Sequence, residues 1–266
     1  MSENLDFWRT QGANKLFNDI DLMPPEQRRF AGKLLIIGGN KGLFFAVASA
    51  LESAKKFGVG EVRALMPDAL KNQVPSAPEL YFAEAEMSGA FGRKALQEML
   101  RQAEWADAVL LIGDSGKNAE TTLVFAEFMS KCQKPVFITR DAVDAVIPSV
   151  GDWGMREYET GMLLTMPQLQ KLLRALYYPK VISLTMPMNQ LVETLHKFTL
   201  SYQMMVATFH EGAIIIAQNG NIVSQKLDGT GLTPITLWGG DLFVRTIIAR
   251  LWNIEKEYYK IFASVL

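Results

Sequence analysis

Short unbroken apolar runs alternate along this chain with longer stretches in which apolar residues recur every three or four positions. Lys33 to Ile37, Val62 to Met66, Ala108 to Ile112 and Pro135 to Thr139 are of the first kind, each closed by Gly, Pro or a polar turn. They predict strands buried on both faces. Leu43 to Phe57, Gly92 to Trp105 and Asn118 to Cys132 are of the second kind and predict helices, the last with Asn118 as its N-cap. Further on, Gly161 to Thr165 and Val181 to Leu184 predict two more strands on either side of a helix from Gln168 to Tyr177. Asn189 to Leu200 predicts another helix. Ala213 to Ala217 and Ile222 to Gln225 flank Asn219-Gly220, a hairpin signal because both residues tolerate the positive φ of a type I′ turn. Phe243, Ile247, Ile248 and Leu251 recur at one-turn steps and predict a helix from Leu242 to Trp252.

Strand, loop, helix and strand in repetition make a doubly wound α/β sheet. The most economical reading is one α/β domain over residues 1–266: a mostly parallel sheet flanked by helices, with a hairpin near its C-terminal edge. Residues 1–30, broken at Pro24-Pro25, form an arm on a core of 31–266. The apolar arm residues Phe7, Trp8, Leu16, Phe17 and Ile20 are expected to dock on the body or on another subunit. The turns Gly38-Gly39-Asn40, Gly113-Asp114-Ser115-Gly116, Arg140-Asp141 and Met166-Pro167 all follow predicted strands. They therefore share the rim at which such sheets bind ligands.

Composition narrows the chemistry. Of 266 residues, 49% are hydrophobic, enough for a sizeable core, and the net charge of −1 gives no basic surplus for nucleic acid. One cysteine excludes an intrachain disulfide, and two histidines beside it leave no usual zinc set. No apolar run has transmembrane length, and the segment with Glu3, Asp6 and Arg9 is too polar for a signal peptide. The expectation is a cytoplasmic protein that meets neither membrane nor nucleic acid and forms a homo-oligomer through its apolar arm and tail.

The stretch with most chemical promise is Leu237-Trp238-Gly239-Gly240-Asp241, where a loop enters the helix that begins at Leu242. Backbone N–H groups at a helix start are unpaired and sit at the positive end of its dipole. Glycines there let a phosphate approach. Asp241 can serve as general base beside that anion, or it can cap the helix.

The order of these motifs resembles the ribokinase-like superfamily, and within it the ADP-dependent NAD(P)H-hydrate dehydratases. Arg29 to Asn40 resembles that family's opening segment ending V-L-V-I-G-G-S. Ala106 to Gly116 resembles A-D-A-V-V-I-G-P-G-L-G, and Lys134 to Val143 resembles K-P-x-V-x-D-A-D-A-L. Leu163 to Pro167 sits at L-T-P-H-P-G-E, Gly212 to Val223 at the hairpin, and Gly239-Gly240-Asp241 at the end of T-G-G-T-G-D. Several positions depart. Asp114 replaces the proline of G-P-G-L-G, and Thr139 replaces the first acid of D-A-D. H-P-G-E reads Met166-Pro167-Gln168-Leu169, the hairpin lysine is lost near Ala217-Gln218, and Leu237-Trp238 replaces a glycine pair.

The resemblance implies a ribokinase-like fold with Asp241 as the catalytic acid, and Trp238, Gly239 and Gly240 at the nucleotide phosphate. Gly38, Gly39, Asn40, Gly113, Asp114 and Asp141 would border the substrate. It further implies ADP or ATP with a small-molecule substrate, Mg²⁺ arriving with the nucleotide, and no metal held by protein side chains alone. The activity implied is phosphoryl-assisted dehydration of hydrated NADH or NADPH. A small-molecule kinase and a catalytically degenerate nucleotide-binding relative are the alternatives.

Overall fold

The fold is described from a computed structural model, over residues 6–12 and 14–266. Glu3 of the polar N-terminal segment lies outside the described residues. In chain order the strands are β1 (Trp8–Gln11), β2 (Lys33–Gly38), β3 (Glu61–Pro67), β4 (Leu80–Ala83), β5 (Ala108–Gly113), β6 (Val136–Ile138), β7 (Thr160–Leu164), β8 (Met204–His210), β9 (Ala213–Gln218) and β10 (Asn221–Lys226). The helices are α1 (Phe45–Phe57), α2 (Ala95–Trp105), α3 (Ala119–Lys131), α4 (Asp141–Val146), α5 (Val150–Trp153), α6 (Met166–Ala175), α7 (Met188–Ser201), α8 (Pro234–Gly239), α9 (Asp241–Trp252) and α10 (Tyr258–Val265).

The ten strands form one sheet in the order β1-β10-β9-β8-β7-β6-β5-β2-β3-β4. From β8 across to β4 all neighbours run parallel, while β9 is antiparallel to both β8 and β10. The central strands are apolar throughout because both faces are covered: Leu34 to Ile37 and Val109 to Ile112 have no exposed surface. One face packs residues of α2 to α7 around Phe91, Phe125, Trp153 and Phe198. The other packs α1, α9 and α10 around Phe243, Tyr258 and Phe262.

Most predicted elements are present within a few residues. Asn118 caps α3 by accepting the Glu120 and Thr121 amides. Asn219 and Gly220 take φ of 51° and 75° in the β9–β10 turn. The arm docks on the body: β1 pairs with β10, and Phe17 and Ile20 are buried in the second core.

One predicted strand is absent. Val181 to Leu184 is an irregular connection, because only Ile182 is buried while Val181 and Leu184 stay 75% and 68% exposed. A single inward residue gives a strand no face to bury. Its place beside β7 is taken by β8, whose polar Thr208 and His210 hide an otherwise apolar run.

Candidate active site

The sheet reverses its winding between β2 and β5. From β2 the chain proceeds outward to β3 and β4, and β5 then resumes on the other side of β2. At such a switch point the connections leave for opposite faces, α1 on one and α3 on the other, and a crevice opens between them. The turns predicted to border the substrate lie here. The β2–β5 register shifts after Ile37, so that Gly38 stands opposite Gly113. A Cβ at Gly38 would collide with the Gly113 carbonyl, and the Gly39 amide donates to that same oxygen at 2.8 Å.

Asn40 spans the crevice. Its side-chain amide donates to the Asp114 carbonyl at 2.5 Å, while its Oδ1 accepts the Gly42 amide at 2.8 Å.

Asp114 and Asp141 hold the walls together. Asp141 Oδ1 accepts the Asp114 amide at 2.7 Å and its Oδ2 accepts the Ser115 amide at 3.2 Å. Asp114 is 3% exposed and has φ of 55°. One of its oxygens accepts the Ala46 amide at the start of α1 at 2.7 Å, a favourable place for negative charge. The other accepts from Arg140 Nη2 at 2.8 Å.

Arg140 has φ of 59° and ψ of −138°, an uncommon conformation for a residue with a Cβ. Its Nη1 reaches the Trp238 carbonyl at 3.4 Å. Gln168 Nε2 donates to the Arg140 carbonyl at 2.8 Å and to Asp144 at 2.7 Å, while its Oε1 accepts the Thr165 amide in a capping box at the start of α6.

The third wall is the turn from α8 into α9. Gly240 takes φ of 91°, and no side chain among the described residues caps the α9 amides that follow it. Gly240 sits over the ends of β5 and β6: a Cβ there would lie 3.5 Å from Ile112 and 3.9 Å from the Thr139 methyl. Gly239 faces open space. Asp241 is the first residue of α9, with its side chain 57% exposed. One oxygen accepts the Ser53 hydroxyl at 2.5 Å and the other lies 3.1 Å from Arg245 Nε.

Trp238 turns toward a cavity of about 580 Å³ on the same rim, at the ends of β7 and β8. Leu164, Met166, Leu184, Phe209 and Ile235 also line it. A larger depression of about 750 Å³, lined by Arg28, Arg63 and Trp105, opens at the opposite rim, away from every predicted site residue.

The structure thus gathers Gly38, Gly39, Asn40, Gly113, Asp114 and Asp141 in one hydrogen-bonded crevice, with Trp238 tied to it through Arg140. Asp241 faces α1. Sequence reading placed Arg140 on the rim but gave it no role, and it missed Gln168, Ser53 and Arg245. Arg140 carried one available signal, a cation directly after a strand and before an acid. The two histidines are structural: His196 Nδ1 meets the Gly220 carbonyl at 2.5 Å and His210 Nε2 meets the Met186 carbonyl at 2.6 Å. Among the described residues no three His, Cys, Asp or Glu side chains converge on a metal position, and no helix is long and apolar enough to cross a membrane.

No protein-family model matches the chain. Over 116 residues it is 32% identical to the bifunctional NAD(P)H-hydrate repair enzyme Nnr of Methanothermobacter thermautotrophicus, a match covering 42% of this chain and 22% of that protein. The chain thus spans under a quarter of the length of the curated relative it matches. Among solved structures it resembles a ribokinase-like superfamily protein of Enterococcus faecalis, with a TM-score of 0.69 at 14% identity over 99% of this chain and 87% of the other. It also resembles the ADP/ATP-dependent NAD(P)H-hydrate dehydratase of Bacillus subtilis, co-crystallised with ATP/Mg2+, with a TM-score of 0.55 at 13% identity, covering 92% and 82%. The pyridoxal kinase of Bacillus subtilis, as an ADP complex, gives a TM-score of 0.52 at 12% identity, with 88% of each chain covered. The fold of this protein is ribokinase-like.

Proposed function

We propose that this protein is a nucleotide-dependent enzyme that removes water from hydrated NADH or NADPH, with ADP or ATP as the phosphoryl donor. The observation that carries the reading is the start of α9. Its first amides have no side-chain cap, Gly239 faces open space before them, and an acid follows at Asp241. Such an array binds phosphate and stabilises the charge that builds up during phosphoryl transfer. The partial identity to an NAD(P)H-hydrate repair enzyme supports the substrate class.

In this mechanism the adenosine end occupies the apolar cavity beside Trp238, and the phosphates lie along the Gly239-Gly240 turn. Asp241 leaves Ser53 and accepts the proton of the substrate hydroxyl as its oxygen attacks the terminal phosphorus. The nucleotide departs one phosphate shorter. The C–O bond then breaks with its electron pair on the phosphate, and a proton lost from the adjacent carbon restores the double bond. Mg²⁺ would come with the nucleotide, shielding its phosphate charge.

The experiment is to incubate hydrated NADPH with ADP or ATP and follow the return of NADPH absorbance and the release of phosphate. Asp241→Asn should abolish turnover. Turnover that survives this change removes Asp241 from the mechanism, and a stable phosphate ester as product would make the protein a kinase.

One observation favours a second reading, a catalytically silent nucleotide-binding protein: both Asp241 oxygens are already engaged, by Ser53 and Arg245. Thermal melting separates the two. A ligand at about 100 times its dissociation constant adds roughly 2.7 kcal/mol to stability. A shift with ADP or ATP that Gly240→Val abolishes, without turnover, fits the silent reading. No shift with either nucleotide removes both.

A further inference from the structure

Arg140 stands where the D-A-D pattern has its alanine, and its side chain reaches two walls of the crevice, the β5 turn and the end of α8. A guanidinium carries five N–H donors and is always charged. One donor goes to Asp114 and one to the Trp238 carbonyl. Its Nε is buried without a partner among the described residues, and so is the hydroxyl of the neighbouring, wholly buried Thr139. Thr139 stands beside Gly240, where the uncapped amides of α9 begin. The Asp114 charge is shared between Arg140 and the Ala46 amide. Buried donors left unmade are costly, and a ligand that supplies acceptors recovers that cost.

We propose that Arg140 is the charge-bearing phosphate ligand of this site, donating to the oxygens of a nucleoside di- or triphosphate held at the start of α9. The proposal rests on the nucleotide reading above and adds to it the residue that meets the ligand's charge. Its position follows from the bonds around it. The Gln168 side chain fixes the Arg140 carbonyl, and Asp141 fixes the β5 turn that carries Asp114. The guanidinium is therefore held between the Asp114 carboxylate and the carbonyl of Trp238, two residues ahead of Gly240, with its Nε unpaired among the described residues. Lysine cannot reproduce this, since a point charge on a flexible stem lacks the planar fork.

The test is calorimetric titration of the full chain with ADP at low and high salt, for the wild type, Arg140→Met and Arg140→Lys, each first checked for an intact thermal transition. Arg140→Met should weaken ADP by about tenfold or more, the size expected for one lost charge-assisted contact. Arg140→Lys should fall between the two. Added salt should weaken ADP for the wild type and Arg140→Lys, and much less for Arg140→Met. Should Arg140→Met not fold, Arg140→Gln carries the same comparison. Binding to the neutral variant within about twofold of wild type, or equal losses in the neutral and lysine variants with unchanged salt dependence, would overturn the proposal by reducing Arg140 to a structural strut. A wild type that binds neither ADP nor ATP would instead remove the nucleotide reading, and this inference with it.

Discussion

Three glycines of the crevice differ in surroundings, and alanine at each position separates backbone strain from side-chain displacement. Gly113 and Gly240 have nearly the same φ, 92° and 91°. A Cβ at either position adopts the left-handed region at about 1–2 kcal/mol. At Gly240 the nearest atoms lie 3.5 Å away or more, ordinary contact, so the strain is the whole cost. At Gly113 the Cβ would collide with the Asp141 carboxylate, which must move and release the Asp114 and Ser115 amides. Hydrogen bonds to charged groups contribute about 1.5–3 kcal/mol each, so losing most of two brings Gly113→Ala to about 3–5 kcal/mol in total. Gly239 has neither positive φ nor a neighbour within 4 Å, and Gly239→Ala should be neutral. At about 2–4 °C per kcal/mol for a chain of this size, melting should fall by roughly 10 °C, 4 °C and 0 °C for Gly113, Gly240 and Gly239. Calorimetry on the three variants reads this directly. Equal losses at Gly113 and Gly240 would mean that the Asp141 carboxylate does not hold the β5 turn.

Three further outcomes follow from buried groups. Burial pushes the Glu159 carboxyl above its ordinary value near 4.5, with Arg250 opposing the shift. The folded state therefore keeps a proton that the unfolded chain has lost. This contribution is whole below the unfolded value and disappears as pH rises through the folded one. Glu159→Gln should flatten the decline of urea midpoints above about pH 4.5, and identical slopes in both proteins would refute the assignment. The Tyr258 hydroxyl is fully buried with no partner among the described residues, so Tyr258→Phe should leave the melting point equal or higher, and a clear fall would reveal a bond. Gln168→Ala removes the bonds to Arg140 and Asp144 from a residue 4% exposed, and urea unfolding should register a loss of about 2–3 kcal/mol. A loss below about 0.5 kcal/mol would show the strap to be idle.

Most of the sheet was legible because its inner strands are covered on both faces and so read as unbroken apolar runs. At the two edges, β1 carries no such run and β4 is an apolar run of only four residues, while β8 hides its run behind Thr208 and His210. The rim was legible for the same reason as the strands: a turn that follows a buried parallel strand has only one end of the sheet to occupy. Side-chain partners were not legible. Ser53 and Asp241 are 188 positions apart, and Asp114 and Ala46 are 68 apart. Helix packing brings them together, and no local spacing encodes it.

The departures from the family pattern are bonded to one another. Asp114 stands where the pattern has proline, yet its φ of 55° is closed to a proline ring, and its amide donates to Asp141. The β5 turn therefore follows a path that the proline pattern does not allow. The carboxylate gained at that position is paired with Arg140, which replaces an alanine. The Arg140 carbonyl is held by Gln168, which replaces the glycine of H-P-G-E. Undoing either charged change strands a partner: proline at 114 leaves the half-buried Arg140 without its counterion, and alanine at 140 leaves the buried Asp114 with one amide. Breaking a buried pair from one side costs about 3–5 kcal/mol. Independent loss of unused residues has no reason to yield two substitutions, Asp114 and Arg140, whose new charges pair with each other. A rim rebuilt around a different charge arrangement does, and its cation bridges the Asp114 carboxylate and the Trp238 carbonyl at the end of α8.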